Sequence, residues 1–166
     1  GMIMERGRAA ARRSARKTGK DAGAPITFGT LAQWVGFNLR MAQESSFEAF
    51  SHLSKEIGEN PGRFATLTLI GRNPGISQTT LSHASGRDKS SMTPVLEALV
   101  RRGLVSRRRT DKDRRAYRLS LTAEGERTLA SLNKCAQRHE RNLDRIIGKD
   151  RARLIDILKR IAAEIG

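Results

Sequence analysis

A chain of 166 residues with 37% hydrophobic but only 4% aromatic content is long enough for a buried core and suits a helical protein built on aliphatic seams. Its formal net charge of +15, from 32 Lys and Arg against 17 Asp and Glu, is the balance expected of a protein with a nucleic-acid partner. The single cysteine, Cys135, excludes an intramolecular disulfide framework and fits a reducing cytoplasm, and no apolar run approaches the roughly 18 residues of a membrane span.

In chain order, residues 1–27 are rich in Arg, Ala and Gly and poor in large apolar groups, which predicts a basic arm that is disordered when free and lacks the apolar core of a signal peptide. Thr30 is expected to cap a long helix reaching about Ile57, with Leu31, Trp34, Val35, Leu39, Phe47 and Phe50 spread over more than one apolar face and Gly58 at its end. Asn60 followed by Pro61 is a strong helix start, and Phe64, Leu67, Leu69 and Ile70 supply that helix's inner side. Asn73, Pro74 and Gly75 break the chain. Ser77 then caps a short helix to about Ser85, with Leu81 and Ala84 turned inward, and Gly86 leads into the next one.

That next helix, capped by Asp88 and closed by Gly103, carries Met92, Val95, Leu96, Leu99 and Val100 on one stripe and Ser90, Thr93, Glu97 and Arg101 on the other. Pro94 is awkward there, because it removes the donor for the Ser90 carbonyl; a bent or late-starting helix would resolve this. Val105–Arg109 and Ala116–Leu121 suit paired strands around a charged loop, Thr110–Arg115. Thr122 caps a long helix in which Leu129, Leu132, Ala136, His139, Leu143 and Ile146 form a seam, and Asp150 caps a last helix with Leu154, Ile155, Leu158, Ile161 and Ile165 inward.

The charge is uneven. Residues 1–25 hold seven Lys and Arg against two acids, and residues 86–118 hold eleven against four, so twelve of the fifteen excess charges lie in the arm and in the helix–hairpin unit. A hairpin tip this basic suits arginines in a minor groove or along phosphates better than it suits packing, with a merely solvated hairpin as the plain alternative. The expected fold is mainly α with a small β-hairpin wing: a winged helix-turn-helix lobe at 59–121, with N- and C-terminal helices, 28–58 and 122–166, forming a dimerisation module.

The stretch ISQTTLSHASGRDKSSMTPVLEALVRRGLVSRR, followed by DKDRRAYRLSLTAEG with its Asp-x-Arg wing and Leu-Thr-x-x-Gly, resembles the MarR family of bacterial transcription regulators. The likeness runs from about residue 28 to the end of the chain. It implies a homodimeric repressor on a palindromic double-stranded DNA operator, released by a small effector that is often a phenolic or aromatic acid. On that frame Ser90, Thr93 and Pro94 face base edges, Lys89 and Ser91 lie close to phosphate, and Arg101 is directed to the backbone at the far end. Ser77 and Gln78 stand at a helix N-terminus suited to phosphate. The family's motif puts Arg115 in the minor groove with Asp113 holding its guanidinium, while Arg107, Arg109 and Arg114 supply charge. For the effector cleft, Asn38, Met41, Phe47 and Phe64 are the candidates, with core packing as the competing role for the aromatics.

The rival readings are weaker. GxxxxGK[ST], HExxH and GxSxG are all absent, Asp111 and Asp113 lie among neutralising arginines, and His52, His83 and His139 are too dispersed for a zinc site, so neither enzyme chemistry, cofactor nor metal is expected. Cys135, beside a helical seam, reads as an inert thiol. An architectural winged-helix protein that binds nucleic acid through charge alone, without an effector, is the alternative, supported by the arm and the high pI.

Overall fold

The computed structural model describes residues 23–110 and 113–166, and their side chains except at 113–116. Most of the predicted arm and the tip of the hairpin therefore lie outside the described residues. The chain divides at Gln43/Glu44 into two compact units.

In the first unit a 3-10 turn, Gly29–Gln33, precedes α1 (Val35–Leu53). Thr30 is inside this turn and caps nothing, contrary to the sequence expectation. The helix starts later because Trp34 is extended, and the Asn38 side chain donates to the carbonyls of Ala32 (2.9 Å) and Trp34 (2.8 Å), taking up acceptors that the turn leaves open. Phe28 and Phe37 meet with ring centroids 5.8 Å apart.

In the second unit α1 ends at Leu53, and a separate 3-10 turn, Lys55–Ile57, leads to Gly58 at φ 74°. Asn60 does cap, accepting from the Gly62 N–H, but over a 3-10 turn (Pro61–Arg63) that only then becomes α2 (Phe64–Arg72). Next come β1 (Ile76–Ser77), α3 (Gln78–Ser85), α4 (Lys89–Arg101), β2 (Val105–Thr110), β3 (Asp113–Leu121), α5 (Ala123–Ile147) and α6 (Arg151–Glu164). The strands form an antiparallel sheet in the order β1-β3-β2. β1 was not foreseen: two residues carry no alternation, and its pairing of Ile76 with Leu119 is set by a partner far along the chain. The strands also run further than expected, to Thr110 and from Asp113, past a register shift after Arg109, because backbone pairing continues through residues read from their charge as loop.

The core of this unit joins Leu67 and Ile70 of α2, Leu81 of α3, Met92, Leu96 and Leu99 of α4, Leu104 and Val105, Leu119 of β3, and Leu132 of α5. Ala84, expected inside, is exposed, and Ser82 is buried instead. Two glycines permit close approach, Gly125 to backbone and Gly71 to side chains. A Cβ on Gly125 would stand 2.0 Å from the Leu104 carbonyl oxygen, and one on Gly71 would stand 2.8 Å from Leu121 Cδ1. The Thr122 hydroxyl accepts from the Gly125 N–H (3.0 Å) and donates to the Gly103 carbonyl (2.5 Å), so the entry to α5 is tied to the exit from α4. Asp150 precedes α6 without a side-chain cap bond, since that helix follows directly from a 3-10 turn, Gly148–Asp150.

Glu59 is a buried carboxylate. Its Oε1 accepts from Arg63 (2.9 Å) and from the Asn60 N–H (3.1 Å), its Oε2 lies 3.0 Å from Arg102 Nη1, and Arg102 Nη2 donates to the Gly58 carbonyl (3.0 Å). Two guanidiniums and an N–H offset the cost of burying this charge. The cluster fixes the end of α4 to the turn entering α2.

Candidate nucleic-acid interface

The site grows from two capped helix starts. Ser77 is extended, and its hydroxyl accepts from the Thr80 N–H (3.1 Å) and donates to Thr80 Oγ1 (2.9 Å). Asp88 accepts from the Ser91 N–H at 2.7 Å and from the Ser90 hydroxyl at 2.8 Å. The Ser91 N–H, and after it the Ser90 hydroxyl, hold this carboxyl below the usual aspartate range, so it is ionised at neutral pH. α4 then runs unbroken from Lys89 with Pro94 inside it, so of the two resolutions offered for the proline, a late start does not occur.

Met92, Leu96 and Leu99 are buried, while Lys89, Ser90, Ser91, Thr93, Pro94 and Arg101 are all exposed. The helix thus separates its two faces as the spacing predicts. Gln78 of α3 reaches this outer face: its Nε2 donates to Thr93 Oγ1 (2.9 Å), and Thr93 Oγ1 donates to the Lys89 carbonyl (2.9 Å). The structure brings Gln78 and Thr93 together, a link that spacing alone does not reveal.

On the wing, Arg107 and Arg109 lie two residues apart on one face of β2, their guanidinium carbons 4.8 and 5.3 Å from the Tyr117 ring centroid. Arg109 also donates to the Tyr117 hydroxyl through Nε (3.2 Å) and Nη2 (2.9 Å). Tyr117 thus orders two arginines of the wing, an arrangement of an aromatic opposite alternate arginines. Arg108 stands directly across from Arg118, and Arg118 donates to the Gly75 carbonyl (3.2 Å). The Asp113, Arg114 and Arg115 side chains, including the expected Asp113–Arg115 pair, lie outside the described residues.

The effector candidates divide between the units. Asn38 is engaged with its two backbone carbonyls, and Met41 is half-buried. In the second unit Phe47 is exposed, its ring 3.3 Å from where a Gly62 Cβ would stand, and Phe64 meets Phe50 edge-on at 5.7 Å. Phe50 also stacks with His139, ring centroids 5.8 Å apart; the Nε2 of His139 is 2.8 Å from Ser46 Oγ, and its Nδ1 is buried without a partner. The sequence put His139 on a seam by spacing alone; a polar ring at an apolar position was the clue to this cluster. Among the described residues, no three metal-ligating side chains converge, and no helix is long and apolar enough to cross a membrane.

Comparison with known proteins gives a consistent set of likenesses. The MarR family model matches residues 60–117. A Thauera aromatica protein named as a transcriptional regulatory protein for the hcr operon is 34% identical over 140 residues, which cover 83% of this chain and 84% of that protein. The transcriptional repressor CouR bound to a 23-mer DNA duplex superposes with a TM-score of 0.77 at 36% identity, covering 84% of this chain and 99% of CouR. CouR bound to p-coumaroyl-CoA gives 0.76 at 35% identity with the same coverage. PcaV of Streptomyces coelicolor, with its natural ligand, gives 0.75 at 26% identity over 87% of this chain and all of PcaV.

Proposed function

Because this chain belongs to the MarR family of transcriptional regulators, we propose that it is a cytoplasmic, DNA-binding repressor that holds a palindromic operator as a homodimer and releases it to a small aromatic or phenolic effector. The observation that carries the DNA reading is the outer face of α4, where the small groups Ser90, Ser91, Thr93 and Pro94 are exposed, together with a wing on which Arg107, Arg108 and Arg109 are exposed. A short-side-chain face lets the helix approach base edges closely, and the flanking guanidiniums supply attraction to phosphate. Ser77 and Gln78 add the N–H groups of a helix start. Arg101, Arg114 and Arg115 extend the charge, with Asp113 as the brace for Arg115.

In this reading residues 59–121 form the DNA lobe, 28–58 and 122–166 the dimerisation module, and 1–27 a basic arm. Two copies related by a two-fold axis set their α4 helices about 34–36 Å apart, one turn of DNA. The effector reading rests on the ring cluster of Phe47, Phe50, Phe64 and His139, and on the binding of a phenolic acyl thioester by CouR. Asn38 and Met41 of the first unit are effector candidates on the family resemblance alone.

The test is selection of bound fragments from the source genome by the purified protein, with and without residues 1–27, at near-physiological salt. The expected result is one palindrome from both forms, held about 10³-fold or more above bulk DNA. Fragments without a shared site, or binding that requires the arm, would favour a protein acting through charge alone.

A further inference from the structure

On the face that this DNA reading assigns to base contact, the hydroxyl protons are already spent. Ser90 Oγ donates to the Asp88 carboxylate, and Thr93 Oγ1 donates to the Lys89 carbonyl. A hydroxyl has one proton, so neither side chain retains a donor for a base. Asp88 keeps the Ser90 proton because it is ionised, being fixed by the Ser91 N–H. Thr93 Oγ1 is occupied further, since it accepts from Gln78. What Thr93 and its neighbour still offer is a methyl group and the Pro94 ring, both on exposed residues.

The four bases respond differently to such a surface. Guanine shows two acceptors, N7 and O6, to the major groove and needs donors; thymine shows a C5 methyl that needs apolar contact. Gln78 keeps one N–H and its Oε1, the pair that matches adenine N6 and N7, but it supplies no fork for guanine.

We propose that the hydrogen bonds of Thr93 set the base preference of α4: with its proton given to the Lys89 carbonyl, which disfavours guanine, and its oxygen held by Gln78, the threonine leaves its methyl and the Pro94 ring as a contact for one thymine methyl in each half-site. Gln78 is in this sense a positioning residue, acting through Thr93.

The experiment uses the full chain and the half-site obtained by selection from randomised duplexes. Each thymine is replaced in turn by deoxyuridine, which removes only the C5 methyl, and binding is titrated for the wild type, Thr93→Ser, Thr93→Val and Gln78→Ala. At one thymine per half-site the wild type should lose about fourfold in affinity per half-site, the weight of one buried methyl. Thr93→Ser, which keeps the hydroxyl and lacks the methyl, should lose most of the sensitivity to that replacement, only the Pro94 ring remaining, and Thr93→Val should remain sensitive. Gln78→Ala should narrow the difference between thymine and deoxyuridine. Wild-type indifference at every thymine, a half-site with no thymine, or full sensitivity in Thr93→Ser overturns the proposal. Failure to select any shared half-site overturns the regulator reading itself, so the two failures are distinct.

Discussion

Asp88 ties the chemistry of one carboxylate to the start of α4, because it accepts from the Ser91 N–H and from the Ser90 hydroxyl together. Its folded pKa lies below the unfolded value of about 3.9, so its contribution to stability is complete above that value and is lost as pH falls through the depressed folded pKa. Asp88→Asn keeps an acceptor oxygen but does not titrate. Thermal unfolding followed from pH 7 to pH 3 should therefore show the wild type losing more of its melting temperature below about pH 4 than the variant; parallel curves would sink the assignment. Gly125 is the opposite kind of residue, important for what it lacks. Gly125→Ala would drive a methyl into the Leu104 carbonyl, and denaturant titration should show a loss of about 3 kcal/mol. From the sequence this glycine was legible only as part of a family motif. The oxygen that requires it belongs to a residue on the far side of the hairpin.

Among the elements, legibility follows the range of the deciding contact. Asn60, Ser77, Asp88 and Thr122 were read correctly as caps because a cap is settled within about three residues, and all four side chains make the bond. Thr30 and Asp150 carry the same residue types, yet the local chain there enters through 3-10 turns and their side chains find no cap partner. β1 and the Phe50–His139 stack depend on partners dozens of residues away, and propensity carries no information about them. The wing shows how an element stores function in charge. Arg108 faces Arg118 across the strands, a like-charge pair that destabilises the isolated sheet and that phosphate would relieve. Arg107→Ala and Arg109→Ala should each weaken binding by a similar factor on every DNA sequence and lower the salt slope by about 1, measured by titration across a salt series. A change confined to one sequence would point to base reading by the wing instead.

For the whole molecule, the apolar residues left in water are concentrated near the two ends of the chain. Trp34 and Val35 are 63% and 68% exposed, and Ile146 and Ile165 are 68% and 82% exposed, with Ile155, Ile157 and Leu158 also open. Exposed apolar side chains of this kind are what a protein interface covers. Sedimentation should find a dimer for the wild type and a monomer for Leu158→Glu combined with Ile165→Glu, and the variant should lose about 10²-fold or more in operator affinity with its bivalency. An unchanged sedimentation coefficient would remove the last helix from the interface. The buried Glu59 has a mechanical consequence at this scale. With Arg63 and Arg102 closed over it, the C-terminal end of α4 is held to residues 58–63, so parting the two would leave a buried carboxylate short of a guanidinium. The clamp thus closes between two left-handed turns, at Gly58 (φ 74°), whose carbonyl Arg102 holds, and at Gly103 (φ 72°), the residue after Arg102.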